Sequence, residues 1–180
     1  MSDESATRIA EAPDEHFYQI LGMFDDDDIV WVGRDVRDSG SEMHSCRFRP
    51  VSDWLGCREC PGPFTCPSTF KPGTYSRREA NVLARKFLVI ESDTLSADDI
   101  GALFRWLQTE VGLHLRAVVD TGGKSLHGWF ESPDQAVLSK LKKCLPALGC
   151  DPALFNPAQP CRLPGAKRGD RYQRLIFINR

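Results

Sequence analysis

The second half of the chain predicts an α+β fold in the order β-α-β-β-α-β, and three observations carry that reading. Two stretches repeat apolar residues at helical spacing: Ile100, Leu103, Phe104, Leu107 and Val111 in one, Val137, Leu141, Leu145 and Leu148 in the other. Four shorter runs rich in β-branched and aromatic residues alternate with them. Between two of these runs stands a Gly122-Gly123-Lys124 turn, short enough to demand a hairpin. The order is that of a ferredoxin-like, or RRM-like, sheet, whose first and third strands pair antiparallel in the middle. In that fold the last strand flanks the first, both helices cover one face, and the other face is expected to stay open.

Taken in order, residues 1–13 are polar with no apolar core and are expected to be disordered. Residues 14–24 read as a short amphipathic helix. The acidic run 25–28 reads as a solvated turn, because consecutive side chains do not converge on an ion. Ile29–Gly33 is a buried strand, and residues 41–75 dissolve into Cys, Pro and Gly, a loop-built insertion in an N-terminal α/β extension spanning 14–83. Ser76 and Glu79 have capping-box spacing and predict a short helix; residues 86–93 are then the first strand of the sheet. Ser96 caps the first helix and Gly112 stops it, residues 115–121 and 125–130 form the hairpin, Pro133 opens the second helix and Gly149 ends it. Residues 172–178 close the sheet, so that 84–180 make a palm-like subdomain of one compact domain.

With 180 residues the chain can bury one sizeable core, and no apolar run approaches the roughly 18 residues of a membrane span. The N-terminus carries no secretory signal, and seven cysteines without one point to a reducing, cytoplasmic setting. Charge is unevenly spread. Residues 1–83 hold 9 Lys/Arg against 15 Asp/Glu and residues 84–180 hold 14 against 10, so the second half is the polyanion binder.

Alternation turns Leu88 and Ile90 toward the helices and puts Glu91 and Asp93 together on the open face. On the neighbouring strand it leaves Ser125, His127 and Trp129 on that face, and antiparallel pairing brings Ser125 and His127 beside the two acids. The segment leading into the last strand, with Asp151, Arg162, Lys167 and Arg168, approaches the same place. Paired carboxylates with a hydroxyl, an imidazole and guanidinium groups are what metal-dependent phosphoryl transfer requires: hard cations take carboxylate oxygens, and cationic side chains hold phosphate. Separately, Cys46, Cys57, Cys60 and Cys66 follow a C-x10-C-x2-C-x5-C pattern with His44 as a substitute ligand, a spacing that fits structural Zn²⁺, with reduced thiols or disulfides as alternatives.

These motifs resemble those of the archaeo-eukaryotic primase, or primase-polymerase, superfamily. Val89-Ile90-Glu91-Ser92-Asp93 resembles its acidic first motif, residues 119–130 its Ser-x-His motif, and Gly149-Cys150-Asp151-Pro152 with residues 159–165 the third-motif region of plasmid- and phage-type members. The resemblance covers about residues 29–180. It implies a catalytic domain in which Glu91, Asp93 and Asp151 hold Mg²⁺ or Mn²⁺, Ser125, His127, Lys124 and Arg162 meet the nucleotide, and a zinc module stands beside the core. Glu91 departs from the family's usual Asp, and Asp120, otherwise a turn-capping residue, is an alternative third acid. The implied partners are a single-stranded DNA template and dNTP or NTP, with a helicase domain in a longer protein, which the last strand's ending at Asn179-Arg180 also suggests. The competing reading is a non-catalytic RRM-like module for single-stranded nucleic acid. A replication-initiator nickase would need a paired-His metal site, and there is no His-x-His.

Overall fold

The computed structural model describes residues 8–179. In chain order its strands are β1 (Ile29–Gly33), β2 (Phe48–Pro50), β3 (Phe64–Thr65), β4 (Ser68–Phe70), β5 (Val82–Arg85), β6 (Phe87–Ile90), β7 (Leu115–Asp120), β8 (Leu126–Glu131), β9 (Cys161–Arg162), β10 (Lys167–Arg168), β11 (Arg171–Tyr172) and β12 (Arg174–Ile178). The α-helices are α1 (His16–Leu21), α2 (Val51–Leu55), α3 (Ala97–Thr109) and α4 (Gln135–Cys144). Strand pairing is antiparallel throughout, giving a mixed α+β protein.

The larger helices form where the apolar spacing puts them. Ser96 accepts a hydrogen bond from the Asp99 amide at the start of α3, and Ile100, Phe104 and Leu107 face inward. Asp134 rather than Pro133 caps α4, accepting from the Val137 amide. Gly128 of β8 lets α3 come close: a Cβ there would lie 2.7 Å from the Phe104 ring. Leu88, Ile90, Val118 and Phe130 pack on these helices.

Three expectations are corrected. The main sheet runs β12-β7-β8-β6, so the last strand flanks β7 and leaves β6 at the edge. The place beside β6 is already taken: Phe87 donates to the Pro67 carbonyl and Asp151 to the Glu91 carbonyl, while Arg85 ties down the Leu154 and Phe155 carbonyls. Nor is the second sheet face open. Phe87, Val89, Val119 and Trp129 are buried there against Phe17, Ile20 and Leu21 of α1, Val30 and Val32 of β1, and Trp54 of α2. The cysteine-rich segment, finally, carries its own core. Its strands β2 and β3 flank β1, β9 extends that sheet to β2-β1-β3-β9, and Trp31, Phe48, Cys66 and Phe70 pack together. Burial of these aromatics contributes about 1.5–3 kcal/mol for each large side chain to the order of the segment.

Smaller differences follow the same logic. The Ser76/Glu79 spacing yields no capped helix: a 3-10 turn, Glu79–Asn81, follows Arg78 without a side-chain cap, and the next residues pair as β5 with β4. In the acidic run, Asp28 accepts from the Asp25 amide and pairs with Lys86 at 3.0 Å, as suits a turn. Of the stretch expected to be disordered, residues 1–7 lie outside the described residues; Arg8 and Ala10 accept hydrogen bonds through their carbonyls from Gln19 and His16.

Candidate functional site

Where the two sheets diverge they leave a cleft of about 210 Å³. Glu91 and Asp93 reach it from just beyond β6, Ser125 from just before β8 and His127 from within β8. Phe64 of β3, Arg162 of β9 and Arg168 of β10 form its other side. Antiparallel pairing of β6 with β8 in the register Ile90↔Gly128 is what sets the acids beside the Ser-x-His pair. Pairing of β3 with β9 in the register Phe64↔Arg162 supplies the opposite wall, with the Arg162 guanidinium 4.3 Å from the Phe64 ring centroid.

His127 is buried and both ring nitrogens are engaged. Nε2 lies 2.9 Å from Glu91 Oε2, and Nδ1 accepts from the Arg162 amide at 3.4 Å. That pattern fixes the tautomer with the proton on Nε2 and points Glu91 into the cleft. Burial pushes the Glu91 carboxyl up, but hydrogen bonds from His127 and Ser125, with the charge of Arg162, outweigh it and hold the group below its ordinary value. Arg162 is lowered by burial and by its neighbour Arg168, while Glu91 opposes the shift. The two guanidinium groups give their part of the cleft a positive potential.

The turn between β7 and β8 is built to let Arg168 in. Gly122 has φ +69°, Asp120 Oδ1 accepts from its amide, and a Cβ on Gly123 would stand 2.5 Å from Arg168 Nη1. Asp120 also pairs with Arg171 and acts as the turn cap, outside the cleft lining. Ser92, between the two acids, donates to the Gly149 carbonyl and accepts from the Thr94 and Leu95 amides, pinning the loop that carries Asp93.

Other expected site residues stand elsewhere. Lys124 is exposed on the turn and does not line the cleft. Asp151 is adjacent to Glu91 through the backbone, but its carboxylate caps the 3-10 turn Pro152–Phe155 by accepting from the Ala153 amide. Among the described residues, Glu91 and Asp93 are therefore the carboxylates that line the cleft. That donor set suits Mg²⁺ or Mn²⁺, which take one or two carboxylates and complete their shell with water and substrate phosphate.

The zinc quartet does not fit. Among the described residues no group of three or more His, Cys, Asp or Glu is arranged to hold a metal ion. Cys66 is fully buried, donates to the Ala158 carbonyl, and has its thiol pushed up to about 12 by burial. Cys60 and Cys57 pack against a different core, and Cys46 is exposed. His44 does not join them. Phe64 and Arg168, by contrast, belong to the cleft although the motif pattern singled out neither as a nucleotide ligand; Phe64 had no local signal, because its partner Arg162 is distant in sequence.

No protein-family model matches this chain, and no curated protein matches it. Among solved structures it is similar to the polymerase domain from Mycobacterium tuberculosis Ligase D in complex with DNA, with a TM-score of 0.41 and 14% identity. The likeness covers 68% of this chain and 55% of that one, so the chain spans about half the length of its structural neighbour. A likeness of that degree does not fix an activity. No helix of the described residues is long and apolar enough to cross a membrane.

Proposed function

We propose that the chain is a template-directed nucleotidyltransferase of primase-polymerase type, acting on single-stranded DNA with deoxynucleoside or ribonucleoside triphosphates. The observation that carries this reading is the mixed lining of one cleft: Glu91 and Asp93 share it with Arg162 and Arg168, and Ser125 and His127 also line it. Carboxylates alone would repel a triphosphate, and arginines alone would bind it without chemistry. Together they suit an anionic substrate that arrives with a divalent cation.

In this reading Glu91 and Asp93 would hold Mg²⁺ or Mn²⁺, which supplies charge neutralisation at the phosphates. Arg162, stiffened by stacking on Phe64, and Arg168 bind the phosphate oxygens. Ser125 offers its hydroxyl at the same wall. His127 donates its Nε2–H to Glu91 and so keeps the carboxylate ionised and oriented. A terminal hydroxyl of the growing strand attacks the α-phosphorus: the O–P bond forms, the bridging P–O bond breaks, and diphosphate leaves with the electron pair. The hydroxyl proton passes to water at the exposed, Asp93 side of the cleft.

The alternative of a non-catalytic RRM-like module needs stacking aromatics on an open sheet face. Here Phe87 and Trp129 occupy that face and are 4% and 0% exposed beneath the N-terminal layer. The test is extension of a primer on single-stranded DNA of defined sequence, offering one nucleotide at a time with and without Mg²⁺ or Mn²⁺. Cation-dependent addition of the complementary nucleotide is expected. Addition that ignores the template base, or no addition with either cation, contradicts the proposal.

A further inference from the structure

On the far side of the β10–β11 hairpin from the cleft lies a second concavity, a groove of about 560 Å³. Arg34, Lys167 and Tyr172 line it, together with the Pro61-Gly62-Pro63 segment. The hairpin pairs Lys167 with Tyr172 and Arg168 with Arg171. Directly opposed residues share a face and successive residues alternate, so Lys167 and Tyr172 front the groove while Arg168 fronts the cleft. Consistent with this, Lys167 Nζ is 5.3 Å from the Tyr172 ring centroid. Among the described residues no carboxylate lies within ion-pair distance of Arg34, Lys167 or Arg168. A wall one hairpin thick thus presents unpaired cations to both sides.

Two carboxylates, Asp14 and Glu59, also line the groove, so charge alone does not describe it. Its other features are a tyrosine ring and walls of proline and glycine. An aromatic platform with a few cations beside it matches single-stranded nucleic acid, whose bases are free to stack and whose phosphates are sparse, better than a duplex. We propose that single-stranded nucleic acid crosses the β10–β11 hairpin, with a base stacked on Tyr172 and flanking phosphates on Lys167 and Arg34. Its identity as the template strand rests on the function proposed above; the binding itself does not.

The probe is a fluorescein-labelled oligothymidylate of about 20 nucleotides, long enough to span several single-strand sites, titrated by anisotropy across a salt series. Tyr172→Ala is expected to weaken binding about tenfold or more, and Tyr172→Phe to retain it. Arg34→Ala with Lys167→Ala should lower the slope of log affinity against log salt by about 1.4, two contacts at roughly 0.7 each. Lys142→Ala with Lys143→Ala removes the same charge from α4 and should leave the slope unchanged. Equal losses in the α4 and groove variants, or wild-type affinity in Tyr172→Ala, overturn the proposal. Photocrosslinking of a 5-iodouracil oligonucleotide to the wild-type protein tests it without substitution: the crosslink is expected at Tyr172, and crosslinks confined to other residues refute it. A protein that binds through the groove but adds no nucleotide would sink the polymerase reading and leave this one standing, whereas template-directed addition with unaltered groove variants would do the reverse.

Discussion

Replacing His127 with Ala removes a side chain that touches both walls of the cleft, and the structure gives the size of the effect. The Nε2–H bond to Glu91 at 2.9 Å has a charged acceptor and contributes about 1.5–3 kcal/mol. The bond from the Arg162 amide at 3.4 Å is long and adds less than about 1 kcal/mol. Because His127 borders the cleft, water can enter the space left behind, and the full cost of a sealed cavity does not apply. Stability should therefore fall by about 1.5–4 kcal/mol, and incorporation by about tenfold to a hundredfold as Glu91 loses its orientation. Labelled-nucleotide incorporation at saturating template, with thermal melting of the same preparation, measures both. His127→Gln retains a donor and should recover part of the loss. A double-mutant cycle with Glu91→Gln should show that the two losses do not add. His127→Ala with wild-type incorporation, or losses that add fully, would refute the idea that His127 acts through Glu91.

Three further outcomes follow from the same geometry. Asp151→Ala removes a cap and should cost about 0.5–2 kcal/mol of stability while changing incorporation by less than about fivefold, the equivalent of 1 kcal/mol in the barrier; abolished incorporation in a folded variant would return Asp151 to the acid set. Gly128→Ala forces a methyl against Phe104, itself only 3% exposed, and should lower the melting temperature by about 2–10 °C through about 1–3 kcal/mol of overpacking; an unchanged melting curve would mean α3 does not sit that close. At neutral pH a thiol reagent should modify exposed Cys46 and Cys144 first and leave Cys66 and Cys161 untouched until unfolding, since burial pushes Cys66 to about 12 and Cys161 well above the ordinary thiol range. Protection of Cys46, Cys57 and Cys60 that a chelator relieves would instead support a zinc module.

The sequence was most legible where local pattern and burial agree. Ile29–Gly33, the Ser96-capped helix and the 115–130 hairpin appear close to their expected bounds, because period-2 and period-3.6 patterning acts over a few residues. Alternation also assigned Glu91, Ser125 and His127 to one face, since it needs only the strand direction. What could not be read depends on long-range pairing. Nothing local to Arg174–Ile178 distinguishes pairing with β7 from pairing with β6; the choice is settled by residues 151–155 occupying the β6 edge. The covered sheet face was hidden in the same way. Val89 and Trp129 read equally well as solvent-side or buried, and only the packing of α1, β1 and α2 decides. Cys66 packs as a small apolar residue in a core with Trp31 and Phe70, a role that leaves no mark on cysteine spacing.

The most direct measurement of the central claim, that one cleft joins an acid pair to a phosphate-binding wall, is single-turnover nucleotide addition by Asp93→Asn against wild type in the presence of Mg²⁺ or Mn²⁺. The substitution removes a charge at an exposed position and keeps side-chain size, so the fold should be unaffected. Template-directed addition by the wild type is expected, with a loss of at least about a hundredfold in the variant, on the scale of removing one group that stabilises transition-state charge. Addition at the wild-type rate by a folded Asp93→Asn protein would contradict it.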